Sequence, residues 1–125
     1  MRKPAKILVV EDQVILLLDL VDQLAEYGFE SLPLTTADGA ADSLLRTRID
    51  GLITDIDLPG TLNGLDLARR CAELRPGMPI VVVSGGHRPR ADELPAGAVF
   101  LPKPYRMEDI VAALTAPART RTRAA

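Results

Sequence analysis

A chain of 125 residues, 47% of them hydrophobic and 26% charged, is long enough to bury one core and too short for a second module of ordinary size. Its net charge of -2 and mean hydropathy of +0.12 exclude a disordered polyelectrolyte and give no electrostatic reason to bind nucleic acid or an anionic membrane. A single cysteine, Cys71, excludes an internal disulfide and a cysteine-based metal cluster, and fits the reducing cytoplasm in which the chain is expected to work.

The longest apolar runs, such as residues 14–18, fall far short of the ~20 residues a membrane span needs. Residues 1–3 lead straight into strand-like sequence, so no targeting segment is expected. Residues 6–10 form a β-rich apolar run without alternation, the mark of a strand covered on both faces, and it ends at Glu11 and Asp12. Over residues 14–27, Leu17, Leu20, Val21 and Leu24 recur at helical spacing and Gly28 supplies the stop. Residues 29–34 read as a second strand. Residues 37–47 read as a second helix with Ala40, Ala41, Leu44 and Leu45 on one face.

A third apolar strand spans residues 51–55, and Asn63 caps a helix running to about Leu74. Residues 79–83 form a fourth strand ending at Ser84, and residues 98–101 a fifth. Between them Gly85, Gly86, Pro89, Pro95 and Gly97 leave only residues 90–94 for a helix, so the fourth helix is expected to be a stub or missing. A last helix covers residues 106–115, with Met107, Ile110, Val111 and Leu114 inward. Residues 117–125 read as a short flexible tail whose Arg119, Arg121 and Arg123 are solvated.

This βα alternation implies right-handed crossovers and a parallel sheet with helices on both faces, whose ligands sit beyond the carboxyl ends of the strands. The polar residues fall in that place. Glu11 and Asp12 follow the first strand, Asp55 ends the third, and Ser84 and Lys103 follow the fourth and fifth. Three clustered carboxylates repel one another unless their pKa values rise or a cation neutralises them, and a hard divalent ion such as Mg²⁺ suits oxygen ligands. One carboxylate is then free to act as a nucleophile toward phosphorus, with the Lys103 ammonium offsetting charge on the phosphoryl oxygens. The Ser84 hydroxyl and Gly85 amide are further donors to that group.

The stretches Val-Val-Glu11-Asp12, Ile-Thr-Asp55-Ile-Asp57-Leu-Pro59-Gly60, Val-Val-Ser84-Gly85 and Phe100-Leu-Pro-Lys103-Pro104-Tyr105 together resemble the receiver domain of bacterial two-component response regulators, chemotaxis-regulator-like, over about residues 5–115. The resemblance implies a flavodoxin-like, doubly wound five-stranded parallel sheet over a receiver domain of residues 1–116. It implies phosphoacceptor Asp55, a Mg²⁺ site of Glu11, Asp12, Asp55 and the Asp57 backbone carbonyl, and phosphoryl-binding Ser84, Gly85 and Lys103. Lys103-Pro104 is where a cis peptide is expected, as in such receivers. Phe100 stands where a switch aromatic would turn inward, and having no hydroxyl it would switch by packing alone. The implied function is that of a stand-alone receiver that catalyses only its own phosphorylation and dephosphorylation. It would accept its group from a histidine kinase or histidine phosphotransfer protein and signal through protein contacts in a phosphorelay.

Two departures from the pattern stand out. The loop between Pro59 and Asn63-Gly64 is about one residue longer than usual, and the short fourth-helix region puts the family's usual output surface in question. Asp57 and Pro59 also suit a simple turn, and His87, in a loop of Gly, Pro and Arg, is expected to be exposed without a role. Two other classes compete. Asp55-Ile-Asp57 loosely matches the Asp-x-Asp core of haloacid-dehalogenase-like phosphatases, but that motif normally opens the chain and is followed by a late acidic pair not seen here. A phosphorylation-independent interaction module is the other.

Overall fold

The apolar runs assemble into one parallel sheet. In the computed structural model, which describes residues 5–116, the strands are β1 (Lys6–Val10), β2 (Glu30–Leu34), β3 (Gly51–Asp55), β4 (Ile80–Ser84) and β5 (Ala98–Pro102). They lie in the order β2-β1-β3-β4-β5 with every neighbouring pair parallel. Four helices accompany them: α1 (Val14–Glu26), α2 (Ala37–Arg46), α3 (Gly64–Leu74) and α4 (Met107–Thr115). This is the doubly wound, flavodoxin-like arrangement expected from the alternation, with element ends within about a residue or two of those read from the sequence.

The expected fourth helix is a single 3-10 turn at Ala91–Glu93, so β4 and β5 are joined without an α-helix and α4 takes the place of a fifth. Proline and glycine account for this, since they leave too few consecutive residues able to donate into a helix. The expectation of a flexible tail over residues 117–125 lies outside the described residues.

Successive strand residues point to opposite faces, and the core is accordingly split in two. On one face Leu8, Leu52, Ile80 and Val82 pack under α2 and α3 through Ala40, Leu44, Leu67 and Cys71. On the other, Val9, Ile53, Val81 and Val83 pack under α1 and α4 through Leu17, Leu20, Leu24, Ile110 and Leu114. All five residues of β3 and of β4 are buried, which is why no polar alternation marks these strands in the sequence.

Local chemistry sets the helix ends. Asn63 and Asp66 form a capping box at the start of α3, the Asn63 side chain accepting from the Asp66 amide at 2.9 Å and the Asp66 carboxylate from the Asn63 amide at 3.0 Å. Thr36 caps α2, and Gly28, at φ 89°, turns the chain out of α1. One inward assignment fails: Leu45 is 69% exposed. The buried stripe of α2 is narrow, held by Ala37, Ala40 and Leu44, and Leu45 lies one helical step beyond it.

From β1 the chain runs outward to β2 and returns to β3 on the other side of β1. Strand order therefore reverses between β1 and β3, and the crevice at their carboxyl ends is where open α/β sheets bind ligands.

Candidate functional site

Backbone pairing carries each polar residue to that crevice. Glu11 extends β1, its amide donating to the Leu34 carbonyl at 3.1 Å, and Lys103 extends β5, its amide donating to the Ser84 carbonyl at 2.9 Å. Asp55 and Ser84 are the last residues of the two central strands. Ladder registry rather than loop conformation thus sets their positions, and ladder positions are stiff.

The acids converge as expected. Glu11, Asp12 and Asp55 each offer a carboxylate oxygen, all within 4.8 Å of one another; Glu11 and Asp55 are buried and Asp12 is exposed. The Lys103 ammonium donates to Asp55 Oδ2 at 2.8 Å and to Glu11 Oε1 at 3.0 Å, spanning 48 and 92 positions of sequence. Burial works against that ammonium, but hydrogen bonds from it to the two carboxylates outweigh the effect and hold its pKa above the usual lysine range.

A single ammonium cannot neutralise three carboxylates. Glu11 bears the consequence: burial first, and then its contact with Asp55, push its pKa up to about 7. Its second oxygen, Oε2, is buried with no hydrogen-bond partner. An orphaned buried carboxylate oxygen beside two further carboxylates is the donor set a hard divalent cation uses, so these residues fit Mg²⁺.

Ser84 is only 2% exposed, and its hydroxyl is engaged with residues other than Asp55. It donates to Asp57 Oδ2 at 3.3 Å and accepts from the amides of Gly86 at 3.3 Å and His87 at 2.9 Å. Gly85 is exposed beside the Lys103 side chain. The Lys103–Pro104 peptide is cis. Phe100 is half-buried against the α2/α3 face, with the Arg88 guanidinium 5.9 Å from its ring centroid. His87 is exposed, and Cys71 is fully buried, with burial pushing its thiol up to about 12.

The contacts of three residues escaped the sequence reading. Asp57, considered there for its backbone carbonyl, as a turn residue and in the Asp-x-Asp pattern, also donates its amide to Asp55 Oδ1 at 3.2 Å and receives the Ser84 hydroxyl. Thr54, fully buried, donates its hydroxyl to the Asp55 carbonyl at 2.9 Å. Gly64 packs so closely under β3 that a Cβ there would lie 1.8 Å from the Asp55 carbonyl oxygen. Only the last had a signal, the glycine directly after the Asn63 cap. The longer β3–α3 loop is tied to α2, the Leu62 amide donating to Asp38 Oδ1 at 3.0 Å.

A parallel sheet whose strand order reverses over an acid cluster and a lysine marks a doubly wound α/β domain with a ligand crevice at its carboxyl edge. The model of the response regulator receiver domain matches residues 7–115, and the chain belongs to that family. It is 32% identical over 114 residues to the two-component response regulator PhoP of Pseudomonas aeruginosa, covering 89% of this chain but only 50% of PhoP. It is 30% identical over 110 residues to the response regulator receiver protein CpdR of Brucella abortus, covering 85% of this chain and 90% of CpdR. Among solved structures, a response regulator receiver protein from Sinorhizobium medicae superposes with a TM-score of 0.87 at 30% identity, over 95% of this chain and 98% of that one. No described helix is long and apolar enough to cross a membrane.

Proposed function

We propose that this chain acts as a receiver domain, residues 1–116, that accepts a phosphoryl group on Asp55 from a phosphohistidine of a histidine kinase or histidine phosphotransfer protein. The observation that carries the reading is the Lys103 ammonium bridging Asp55 and Glu11 at 2.8 and 3.0 Å beside an uncompensated acid cluster. In the transfer an Asp55 carboxylate oxygen forms the new bond to phosphorus. The bond from phosphorus to the donor imidazole breaks, and its electron pair stays on the nitrogen. Lys103 already lies within hydrogen-bond reach of Asp55, so its charge offsets the phosphoryl oxygens without reorganisation of the backbone.

Glu11, Asp12, Asp55 and the Asp57 backbone carbonyl would hold Mg²⁺, which supplies positive charge to the carboxylates and the phosphoryl oxygens. The Ser84 hydroxyl and Gly85 amide donate to the remaining oxygens. Phe100 responds through packing, since its ring has no hydroxyl to exchange partners. Output passes through protein contacts in a phosphorelay, without direct binding to nucleic acid or membrane, and the single cysteine suits a cytoplasmic setting.

Acetyl phosphate with Mg²⁺ is expected to give a mass adduct that is lost in Asp55→Asn. Beryllofluoride with Mg²⁺ is expected to move the amide signals of Ser84, Phe100 and residues 85–97. A spectrum unmoved by either reagent sinks the reading.

A further inference from the structure

A serine hydroxyl has one proton and two lone pairs. In Ser84 all three are committed. The oxygen accepts from the Gly86 and His87 amides at 3.3 and 2.9 Å, and the proton goes to Asp57 Oδ2 at 3.3 Å. A hydrogen bond from Ser84 to any phosphoryl oxygen on Asp55 therefore requires that Asp57 give up the proton it receives. Asp57 is also tied to the acceptor itself, its amide donating to Asp55 Oδ1 at 3.2 Å. One residue thus contacts both partners of the bond that phosphorylation would create.

We propose that the Asp57 carboxylate is a brake on the phosphorylated state, competing with the phosphoryl group on Asp55 for the proton of the Ser84 hydroxyl. The inference rests on the phosphoacceptor reading above and assigns the Asp57 side chain a task separate from that of its backbone carbonyl. Asp57 is a positioning residue here: it acts through Ser84. At 3.3 Å the contact is longer than a strong O–H···O bond, so Asp57 holds the Ser84 proton only weakly, which sets a modest ceiling on the competition. The Gly86 and His87 amides hang from the same oxygen, and they begin the short segment that joins β4 to β5 in place of a helix. Drawing Ser84 toward Asp55 would therefore disturb the first anchors of that segment.

The test is a double-mutant cycle read by beryllofluoride titration at saturating Mg²⁺, following amide signals, in wild type, Asp57→Ala, Ser84→Ala and the double variant. Saturating Mg²⁺ removes any effect of the lost carboxylate on metal uptake. Asp57→Ala is expected to tighten beryllofluoride binding about fivefold, the equivalent of ~1 kcal/mol, when Ser84 is present. With alanine at position 84 the same change is expected to alter affinity by less than about twofold, because the proton in contention is gone. Asp57→Asn keeps an oxygen acceptor without the charge and is expected to fall between wild type and Asp57→Ala.

An equal gain in both backgrounds would mean simple charge repulsion and overturn the brake, as would no gain in either. Wild type that binds beryllofluoride while the cycle shows no coupling overturns the brake alone. Wild type that binds none removes the phosphoacceptor reading and the brake with it.

Discussion

The bodies of the central strands and their carboxyl ends obey opposite rules. In the body of β3 and β4, Leu52, Ile53, Val81 and Val82 are at most 1% exposed, Leu52 and Val82 packing into the core under α2 and α3, Ile53 and Val81 into the core under α1 and α4. One step further along, Asp55 and Ser84 are nearly as buried, at 7% and 2%, but they are polar, and Glu11 beside them is left with an unpartnered oxygen. The bodies gain stability from each side chain they bury. The ends hold like charges together in a partly dry crevice, offset in part by Lys103, and gain further stability from a cation that binds them.

Substitutions on the two sides of that boundary should therefore have opposite signs. Leu52→Ala, in the body, leaves a cavity between β3 and the α2/α3 layer and is expected to lower unfolding free energy by about 3 kcal/mol in urea titrations. Gly64→Ala tests the boundary itself. Its new Cβ would meet the Asp55 carbonyl oxygen and the Ile56 Cα, both backbone atoms that cannot rotate aside. A loss of about 2 kcal/mol is expected, together with altered amide signals at Asp55.

At the carboxyl ends, Glu11→Gln should stabilise the metal-free protein by about 1 kcal/mol while weakening Mg²⁺ binding at least tenfold by calorimetry. The pH dependence sharpens this prediction. Glu11 in the folded protein keeps its proton up to about pH 7, against an ordinary value of 4.5, so between these values the native state binds the extra proton. Stability contributed by neutral Glu11 is present below that window and is lost as pH rises through it. The advantage of Glu11→Gln in chelator should accordingly grow from about pH 5 to about pH 8, and an advantage that shrinks would contradict the burial argument. The smallest effect is expected at Arg88→Ala. It removes a cation from the Phe100 ring, where about 0.5 kcal/mol is at stake, and is best read as a shift of the Phe100 ring protons.

Much of this molecule was legible from residue order alone. Apolar runs at β1, β3 and β4 alternating with helical spacing marked the sheet and its helices, because burial on both faces demands such runs, and the edge strand β2 followed from the alternation. Gly28, Asn63 and the proline-rich stretch before Ala98 marked an end, a start and a missing helix through local backbone chemistry. The gathering of Glu11, Asp12, Asp55 and Lys103 was legible too, since the carboxyl ends of strands in one parallel sheet lie along one edge.

The tertiary structure alone decided how the remaining valences are used. That Ser84 contacts Asp57, that one Glu11 oxygen stays unpartnered, that Thr54 holds the Asp55 carbonyl and that Leu45 lies outside the buried stripe all depend on which way individual side chains turn once the elements are packed. Residue types and their spacing set which strand end a side chain occupies. Which of several available partners a hydroxyl or carboxylate takes is settled by directional contacts of 2.8 to 3.3 Å, and such contacts exist only once helices and sheet have packed.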